Sequence, residues 1–125
     1  MKLVVTGGAG FLGARLISTL LSGQPPAGFP QFSSIVSVDL APCPVDDPRV
    51  QSVTGNIADA AFVNSIVTPD VTAIYHLAAV VSGQAEAEFD IGMAVNLDGT
   101  RTLLEAARKL PNPPRVVFAS SLAVF

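Results

Sequence analysis

Residues that build cross-links and metal centres are scarce in this sequence. It has one cysteine, Cys43, and one histidine, His76, among its 125 residues. A single cysteine excludes a framework of intramolecular disulfides and is typical of a protein from a reducing compartment. One cysteine and one histidine also leave a zinc site without the ligands that it needs. We therefore predict no metal and expect the protein in the cytoplasm.

Charge and long apolar runs are scarce as well. The net charge is −3, which gives no basic surface for nucleic acid or for an anionic membrane. No apolar run has the length of a membrane span. The glycines from Gly7 to Gly10 interrupt the apolar N-terminus before a signal sequence could form. The length suits one domain, and we expect it to be soluble, with neither nucleic acid nor membrane as a partner.

What the sequence does have is an alternation of strand and helix patterns. The predicted strands are Lys2–Thr6, Ser34–Asp39, Val50–Thr54, Val71–Leu77 and Arg115–Ala119. The predicted helices are Phe11–Leu21, Ala60–Val67 and a long helix from about Glu86 to Leu110. This alternation is typical of right-handed crossovers between the strands of a parallel sheet covered by helices.

Apolar residues at helical spacing predict which side of each helix is buried. In the first helix they are Leu12, Leu16, Leu20 and Leu21. In the long helix the predicted stripe consists of Phe89, Met93, Leu97, Thr100, Leu104 and Ala107. Arg101, Glu105 and Arg108 fall outside that stripe.

Three glycines follow the first strand at a spacing of three residues. Gly7 permits a tight turn, Gly10 lets the backbone approach phosphates, and Gly13 allows close packing of helix and strand. Free N–H groups at the start of the helix, together with its dipole, favour an anion at this position. The pattern predicts a site for a dinucleotide pyrophosphate, and the alternative is an ordinary glycine-rich turn.

Asp39 ends the second predicted strand. A carboxylate at this place accepts hydrogen bonds from the adenosine ribose and repels a 2′-phosphate. No lysine or arginine follows it immediately, so the sequence favours NAD over NADP. The alternative is a solvated aspartate in the turn before Pro42.

The third predicted strand is followed by Asn56 and Ile57, which could clamp the adenine between a polar atom and an apolar side chain. The alternative is a simple turn in which the next acid, Asp59, caps the following helix, and we predict that cap in either case.

The fourth strand ends in a short segment with small residues. Leu77, Ala78 and Ala79 would let the backbone lie against the cofactor at the carboxyl edge of the sheet. A lone histidine on a strand is more often packed than catalytic, so we predict a structural role for His76. Tyr75 has no lysine four residues on, and we expect it in the core.

Four polar residues could take part in a site or serve the fold. Ser82 is a candidate substrate contact or a loop residue, and Asn96 either satisfies backbone groups or orders water. Ser120 and Ser121 follow the fifth strand, where a hydroxyl could bind a substrate oxygen. A serine without a base does little chemistry, so these residues form only part of a site.

Several segments in order along the whole chain resemble the extended short-chain dehydrogenase/reductases, the family of NAD-dependent epimerases and dehydratases. They are Thr6 to Gly13, Asp39, His76 to Ala79, Val95 to Thr100 and Phe118 to Phe125. Residues Val80 to Met93 resemble the branch of D-erythronate dehydrogenases. The resemblance implies a Rossmann-type α/β fold, a doubly wound parallel sheet in the order 3-2-1-4-5.

The resemblance also implies roles for individual residues. Phe11 and Leu12 would give backbone N–H groups to the pyrophosphate of NAD. Asp39 would hold the ribose, with Asn56 and Ile57 beside the adenine. Ser121 would supply the catalytic hydroxyl that contacts the substrate, and Ser120 would lie beside it on the cofactor or substrate side. We add Asn96 to the candidate cofactor contacts.

The family's Tyr-x-x-x-Lys pair does not occur in this sequence. We therefore expect residues 1–125 to be an N-terminal NAD-binding domain whose catalytic Tyr–Lys segment and substrate domain lie beyond it. Three functions remain open: an NAD-dependent sugar-acid dehydrogenase, a nucleotide-sugar epimerase or dehydratase, and a non-catalytic NAD-binding fragment. In each enzyme the substrate is a small molecule, and the full-length protein could form a homo-oligomer.

Overall fold

The computed structural model describes residues 1–23, 32–77 and 97–119. Strands alternate with helices in these ranges, except that the second strand is followed directly by the third. In chain order these are β1 (Lys2–Thr6), α1 (Phe11–Leu21), β2 (Ser34–Asp39), β3 (Val50–Thr54), α2 (Ala60–Ile66), β4 (Val71–His76), α3 (Thr100–Arg108) and β5 (Arg115–Phe118). Within these three ranges no helix is long and apolar enough to cross a membrane.

The five strands form one parallel sheet in the order β3-β2-β1-β4-β5. This confirms the predicted fold class and strand order. The bounds of β1, β2 and β3 are as predicted, whereas β4 and β5 each end one residue earlier than expected. The predicted long helix is described only from residue 97, where a short π-helical turn leads into α3.

The sheet is covered on both faces, because alternate residues of its central strand enter two different cores. Leu3 and Val5 pack with Ile17 and Leu20 of α1 on one face. Val4 packs on the other face, in a cluster that includes Val63 of α2 and Leu103 of α3. Burial on both faces is the reason that β1 reads as a continuous apolar run rather than as an alternating one.

The predicted buried face of α1 is wrong at Leu12, whose side chain is 57% exposed. Leu20 is buried as predicted, and Leu16 and Leu21 are partly buried and pack against the core. The other buried positions are Gly13 and Ile17. Because Gly13 has no side chain, this side of the helix can lie against the backbone of the turn after β1, and Leu12 is exposed.

The predicted stripe of the long helix is right at Ala107, which is buried, and wrong at Leu97 and Leu104. Its first two members, Phe89 and Met93, lie outside the described residues. Leu103 is fully buried, whereas Leu97 and Leu104 are about half exposed. A hydrogen bond joins the hydroxyl of Thr100 to His76 on β4, and Leu103 lies one turn further along the same side of the helix. Leu103 shares its buried side of the helix with Ala106 and Ala107.

Candidate cofactor site

The turn after β1 has the conformation that its first glycine permits. Gly7 has a φ of 77°, in the left-handed region that favours glycine. Its N–H donates to the carbonyl of Val38 at 2.7 Å, and the N–H of Gly10 donates back to the carbonyl of Gly7 at 3.1 Å. The predicted tight turn at Gly7 is confirmed.

Gly13 allows a close approach, but mainly to the turn rather than to the strand itself. A Cβ atom added to Gly13 would overlap the carbonyl oxygen of Gly7 and lie 2.9 Å from the Cα atom of Gly8. These are backbone atoms, which cannot move aside singly. The helix therefore packs directly on the turn, and this contact sets the position of the first helical N–H groups.

Gly8 has a structural role that the sequence analysis missed. A Cβ atom there would overlap the Ser37 hydroxyl and lie 3.2 Å from a methyl group of Ile17. Ser37 is buried in β2, and its hydroxyl has no hydrogen-bond partner among the described residues. The only signal in the sequence is a small polar residue inside the otherwise apolar run of β2.

Cys43 also contacts this turn. Its thiol lies 3.7 Å from the carbonyl oxygen of Gly8, and its backbone N–H donates to the hydroxyl of Ser52 on β3 at 2.9 Å. The segment after β2 thus packs against the glycine turn, an arrangement that no sequence pattern predicts.

The start of α1 is left open for an anion. Its N-cap residue is Gly10, no side chain caps the helix, and its first turn contains no acid. A Cβ atom on Gly10 would meet only the carbonyl of Gly7 at 3.4 Å, so protein atoms do not crowd this position. Because the first N–H groups of a helix need acceptors, these features fit the predicted pyrophosphate.

Asp39 is held in place at the end of β2. Its carboxylate accepts hydrogen bonds from the N–H of Ala9 at 3.0 Å and from the N–H of Leu40 at 2.7 Å. The side chain therefore joins the glycine turn to the end of β2. A carboxylate can accept about four hydrogen bonds, so two ribose hydroxyls can be added to this arrangement.

An open groove of about 790 Å³ lies beside these residues. It begins at Ala9, Gly10 and Phe11 and follows α1 as far as Ser22, with Pro44 and Val45 also in its lining. Most of the groove therefore runs along the helix, and only its first part lies at the glycine turn. The groove adjoins Asp39, because the N–H of Ala9 bonds that carboxylate.

The segment after β3 lies next to the end of β2, since the N–H of Gly55 donates to the carbonyl of Asp39 at 3.0 Å. The side-chain oxygen of Asn56 accepts from the N–H of Ala58 at 2.9 Å, which closes a local turn. Ile57 is only 5% exposed and packs in the core. An adenine contact at Ile57 would therefore depend on its backbone more than on its side chain.

The predicted helix cap at Asp59 is confirmed. Its carboxylate accepts from the N–H of Ala61 at 3.0 Å and from the N–H of Phe62 at 3.4 Å. Asp59 therefore stabilises the start of α2 and has no part in the candidate site.

His76 is packed inside the protein, as predicted. It is 2% exposed, its Nδ1 atom lies 2.7 Å from the hydroxyl of Thr6, and its Nε2 atom lies 2.8 Å from the hydroxyl of Thr100. Its ring stacks on that of Phe118, with centroids 5.7 Å apart. Burial lowers the pKa of the imidazole, which favours the neutral form.

Tyr75, the residue before it, is also buried, and burial raises the pKa of its hydroxyl. The prediction that Tyr75 belongs to the core is confirmed. Leu77, a predicted cofactor contact that lies within the described residues, donates its N–H to both the carbonyl and the hydroxyl of Thr6 at 3.1 Å.

The remaining predicted site residues lie outside the described ranges. They are Ala78, Ala79, Ser82, Asn96, Ser120 and Ser121. The structure brings together Gly7, Gly10, Gly13 and Asp39, with Asn56 nearby, at the carboxyl edge of β1, β2 and β3.

Comparison with known proteins identifies relatives of this chain. A family model described as the NAD dependent epimerase/dehydratase family matches residues 3–125. A D-erythronate dehydrogenase of Cupriavidus necator is 48% identical over the whole of this chain, which covers 40% of that enzyme. The chain thus spans about two fifths of the length of this curated relative.

Two solved structures share the fold. A nucleoside-diphosphate-sugar epimerase from Agrobacterium tumefaciens aligns over 100% of this chain and 38% of its own, with 34% identity and a TM-score of 0.89. A mutant uronate dehydrogenase from the same organism, complexed with NAD, aligns over 96% of this chain and 40% of its own, with 32% identity and a TM-score of 0.77.

Proposed function

Because this chain belongs to the NAD-dependent epimerase/dehydratase family, we propose that it is the NAD-binding part of a sugar-acid dehydrogenase. The complete enzyme would oxidise the C2 hydroxyl of a sugar acid such as D-erythronate to the 2-keto acid, with bound NAD accepting the hydride. The substrate class is taken from the similarity to the Cupriavidus enzyme, which extends over the whole chain.

One observation carries the cofactor part of the proposal. The uncapped start of α1 and the carboxylate of Asp39 are joined through the Ala9 N–H at 3.0 Å, so the two anchors of a dinucleotide have a fixed relation. The N–H groups at Phe11 and Leu12 would bind the pyrophosphate, and Asp39 would bind the adenosine ribose. Gly10 leaves room for the phosphates between them.

The catalytic step would need more than this chain supplies. Ser121 would donate a hydrogen bond to the oxygen of the substrate, but a serine hydroxyl does not remove the proton that is released when an alcohol is oxidised. The resemblance to short-chain dehydrogenases implies a tyrosine base with a nearby lysine that lowers its pKa. No such pair occurs in residues 1–125, so we expect this chain alone to bind NAD without turnover.

Calorimetric titration of residues 1–125 with NAD and NADP tests the cofactor part. We expect NAD to bind and NADP to bind at least about tenfold more weakly, because a 2′-phosphate would meet the carboxylate of Asp39. Asp39→Asn keeps the shape and removes the charge, so it should narrow the difference between the two cofactors. Equal binding of NAD and NADP by the unchanged chain would contradict the assignment of Asp39.

Sequencing the encoding transcript beyond the codon for Phe125 tests the proposed dehydrogenase activity. A Tyr-x-x-x-Lys segment and a further domain would support the dehydrogenase, and the long form is then assayed for NADH formation with D-erythronate. A stop codon directly after Phe125 would leave only an NAD-binding chain.

The second candidate is a nucleotide-sugar epimerase or dehydratase that uses NAD only transiently. It is favoured by the high structural similarity to the nucleoside-diphosphate-sugar epimerase from Agrobacterium, with a TM-score of 0.89. Conversion of a UDP- or GDP-sugar by the long form without net NADH would support this candidate. Net NADH formation with a free sugar acid would exclude it as the main activity.

A further inference from the structure

His76 connects four elements of the fold, although it lies outside the cofactor anchors described above. Its ring nitrogens lie 2.7 Å from the hydroxyl of Thr6 at the end of β1 and 2.8 Å from the hydroxyl of Thr100 at the start of α3. Its ring also stacks on Phe118 at the end of β5. We call Thr6, His76 and Thr100 the histidine chain.

We propose that the histidine chain positions the nicotinamide half of the cofactor site and leaves the adenosine half unaffected. This inference rests on the proposed function, because it assumes that NAD binds at the carboxyl edge of the sheet. It assigns positioning roles to Thr100 and His76, with no contact to the reacting atoms.

The end of β4, next to the nicotinamide half, is held by the histidine chain. The N–H of Leu77 donates to the hydroxyl of Thr6 at 3.1 Å. The end of β5 is joined to β4 by a backbone hydrogen bond, from the N–H of Ala119 to the carbonyl of His76 at 3.3 Å. The hydroxyl of Thr6 therefore contributes directly to the position of the end of β4, and the end of β5 follows it through strand pairing.

The adenosine half has a separate set of supports. In a doubly wound sheet the dinucleotide lies across the point where the strand order reverses, and its adenosine side lies over the first three strands. Asp39 is held by Ala9 and Leu40, and Gly55 is held by Asp39. None of these hydrogen bonds involves His76 or Thr100, so the two halves should respond separately to mutation.

The two ring nitrogens of His76 need different kinds of partner in the histidine chain. A neutral histidine has one N–H donor and one acceptor nitrogen, whereas a threonine hydroxyl can donate and accept. Both ring nitrogens therefore find partners as long as both hydroxyls are present. Loss of one hydroxyl leaves a buried ring nitrogen without that partner, and the ring must shift or the helix must move away from β4.

The test compares how tightly variants of residues 1–125 bind NAD and ADP. ADP carries only the adenosine half and the phosphates. Thr100→Val keeps the shape of the side chain and removes the hydroxyl, and we expect it to weaken NAD binding about three- to tenfold while ADP binding changes by less than about twofold. Thr100→Ser retains the hydroxyl and should bind both ligands like the unchanged chain.

Asp39→Asn is the matched control for the other half, and we expect it to weaken NAD and ADP binding to a similar extent. General loss of structure would also weaken both ligands, so the NAD-to-ADP ratio separates positioning from stability. An unchanged ratio in Thr100→Val would overturn the inference while leaving the proposed function in place. Absence of NAD binding by the unchanged chain would overturn both.

Discussion

Two alanine substitutions, three residues apart in the glycine motif, should have different effects. In Gly13→Ala the new Cβ atom overlaps the backbone of Gly7 and lies 2.9 Å from the Cα atom of Gly8. In Gly10→Ala it meets only the carbonyl of Gly7 at 3.4 Å, an ordinary contact. Gly10 also has a φ of −78°, which any residue adopts. The first change should therefore lower stability, and the second should block the cofactor.

The magnitudes follow from these contacts. Crowding of a rigid backbone costs about 1–3 kcal/mol, and the better helix propensity of alanine offsets up to about 1 kcal/mol of that at Gly13. A net loss of about 1–2 kcal/mol in the free energy of unfolding should lower Tm by roughly 5–10 °C. Gly10→Ala should cost no more than about 1 kcal/mol, because alanine is a poorer N-cap than glycine.

The assay combines thermal unfolding with titration by NAD. Gly10→Ala should lose at least about tenfold in affinity, or about 1.4 kcal/mol, because its methyl group lies where the backbone meets the phosphates. Gly13→Ala should show the larger fall in Tm. Unchanged NAD affinity in a folded Gly10→Ala variant would refute the placement of the pyrophosphate.

Three further predictions concern stability. Burial lowers the pKa of His76, so the unfolded chain binds a proton at a higher pH than the folded chain does. The contribution of neutral His76 to stability is complete above about pH 6.5 and is lost as the pH falls below that value. Urea unfolding should therefore give a free energy of unfolding that falls between about pH 7 and pH 5, and His76→Gln should remove this dependence. Asp59→Ala should lower stability by about 1 kcal/mol in the same assay, whereas Asp59→Asn keeps the cap and should not. Gly8→Ala should lower the free energy of unfolding by about 1–3 kcal/mol, because the new methyl group overlaps the Ser37 hydroxyl. The loss should be smaller when Ser37→Ala removes that hydroxyl, and purely additive effects would show that the two residues do not interact.

Much of the fold could be predicted because its signals are local. The strands β1, β2 and β3 and the helix α1 have the predicted bounds. The strands β1 and β2 contain short apolar runs, and glycine, proline or polar residues border all four elements. The cap at Asp59 needs only its own helix, and it was predicted correctly for that reason. The strand order followed from the family resemblance, and the pairing of β1 with β2 and β4 confirms it.

The predictions that were wrong or missing concern contacts between residues that are far apart in the sequence. Leu103 and Leu104 are adjacent, and the helical period allows either to face the core. The outcome depends on how α3 is rotated against the sheet, and Leu103 is the buried residue. Gly8 and Ser37 meet because of the register between β1 and β2, which no local pattern contains. The site was predicted at Gly7 and Asp39, but the hydrogen bond that joins Asp39 to Ala9 was not.

The position of β1 at the centre of the sheet has a kinetic consequence. Lys2 pairs with Ser34 on one side and with Val71 on the other, so both ladders of this strand join parts of the chain that are far apart in sequence. Such non-local pairing slows folding, because the entropy of closing the long intervening loops is lost before the contacts compensate for it. The glycine turn at the end of β1 depends on the same distant segments, since the N–H of Gly7 donates to the carbonyl of Val38. A ligand that binds there would stabilise the folded chain as a whole, by an amount that increases with the ligand concentration relative to its Kd.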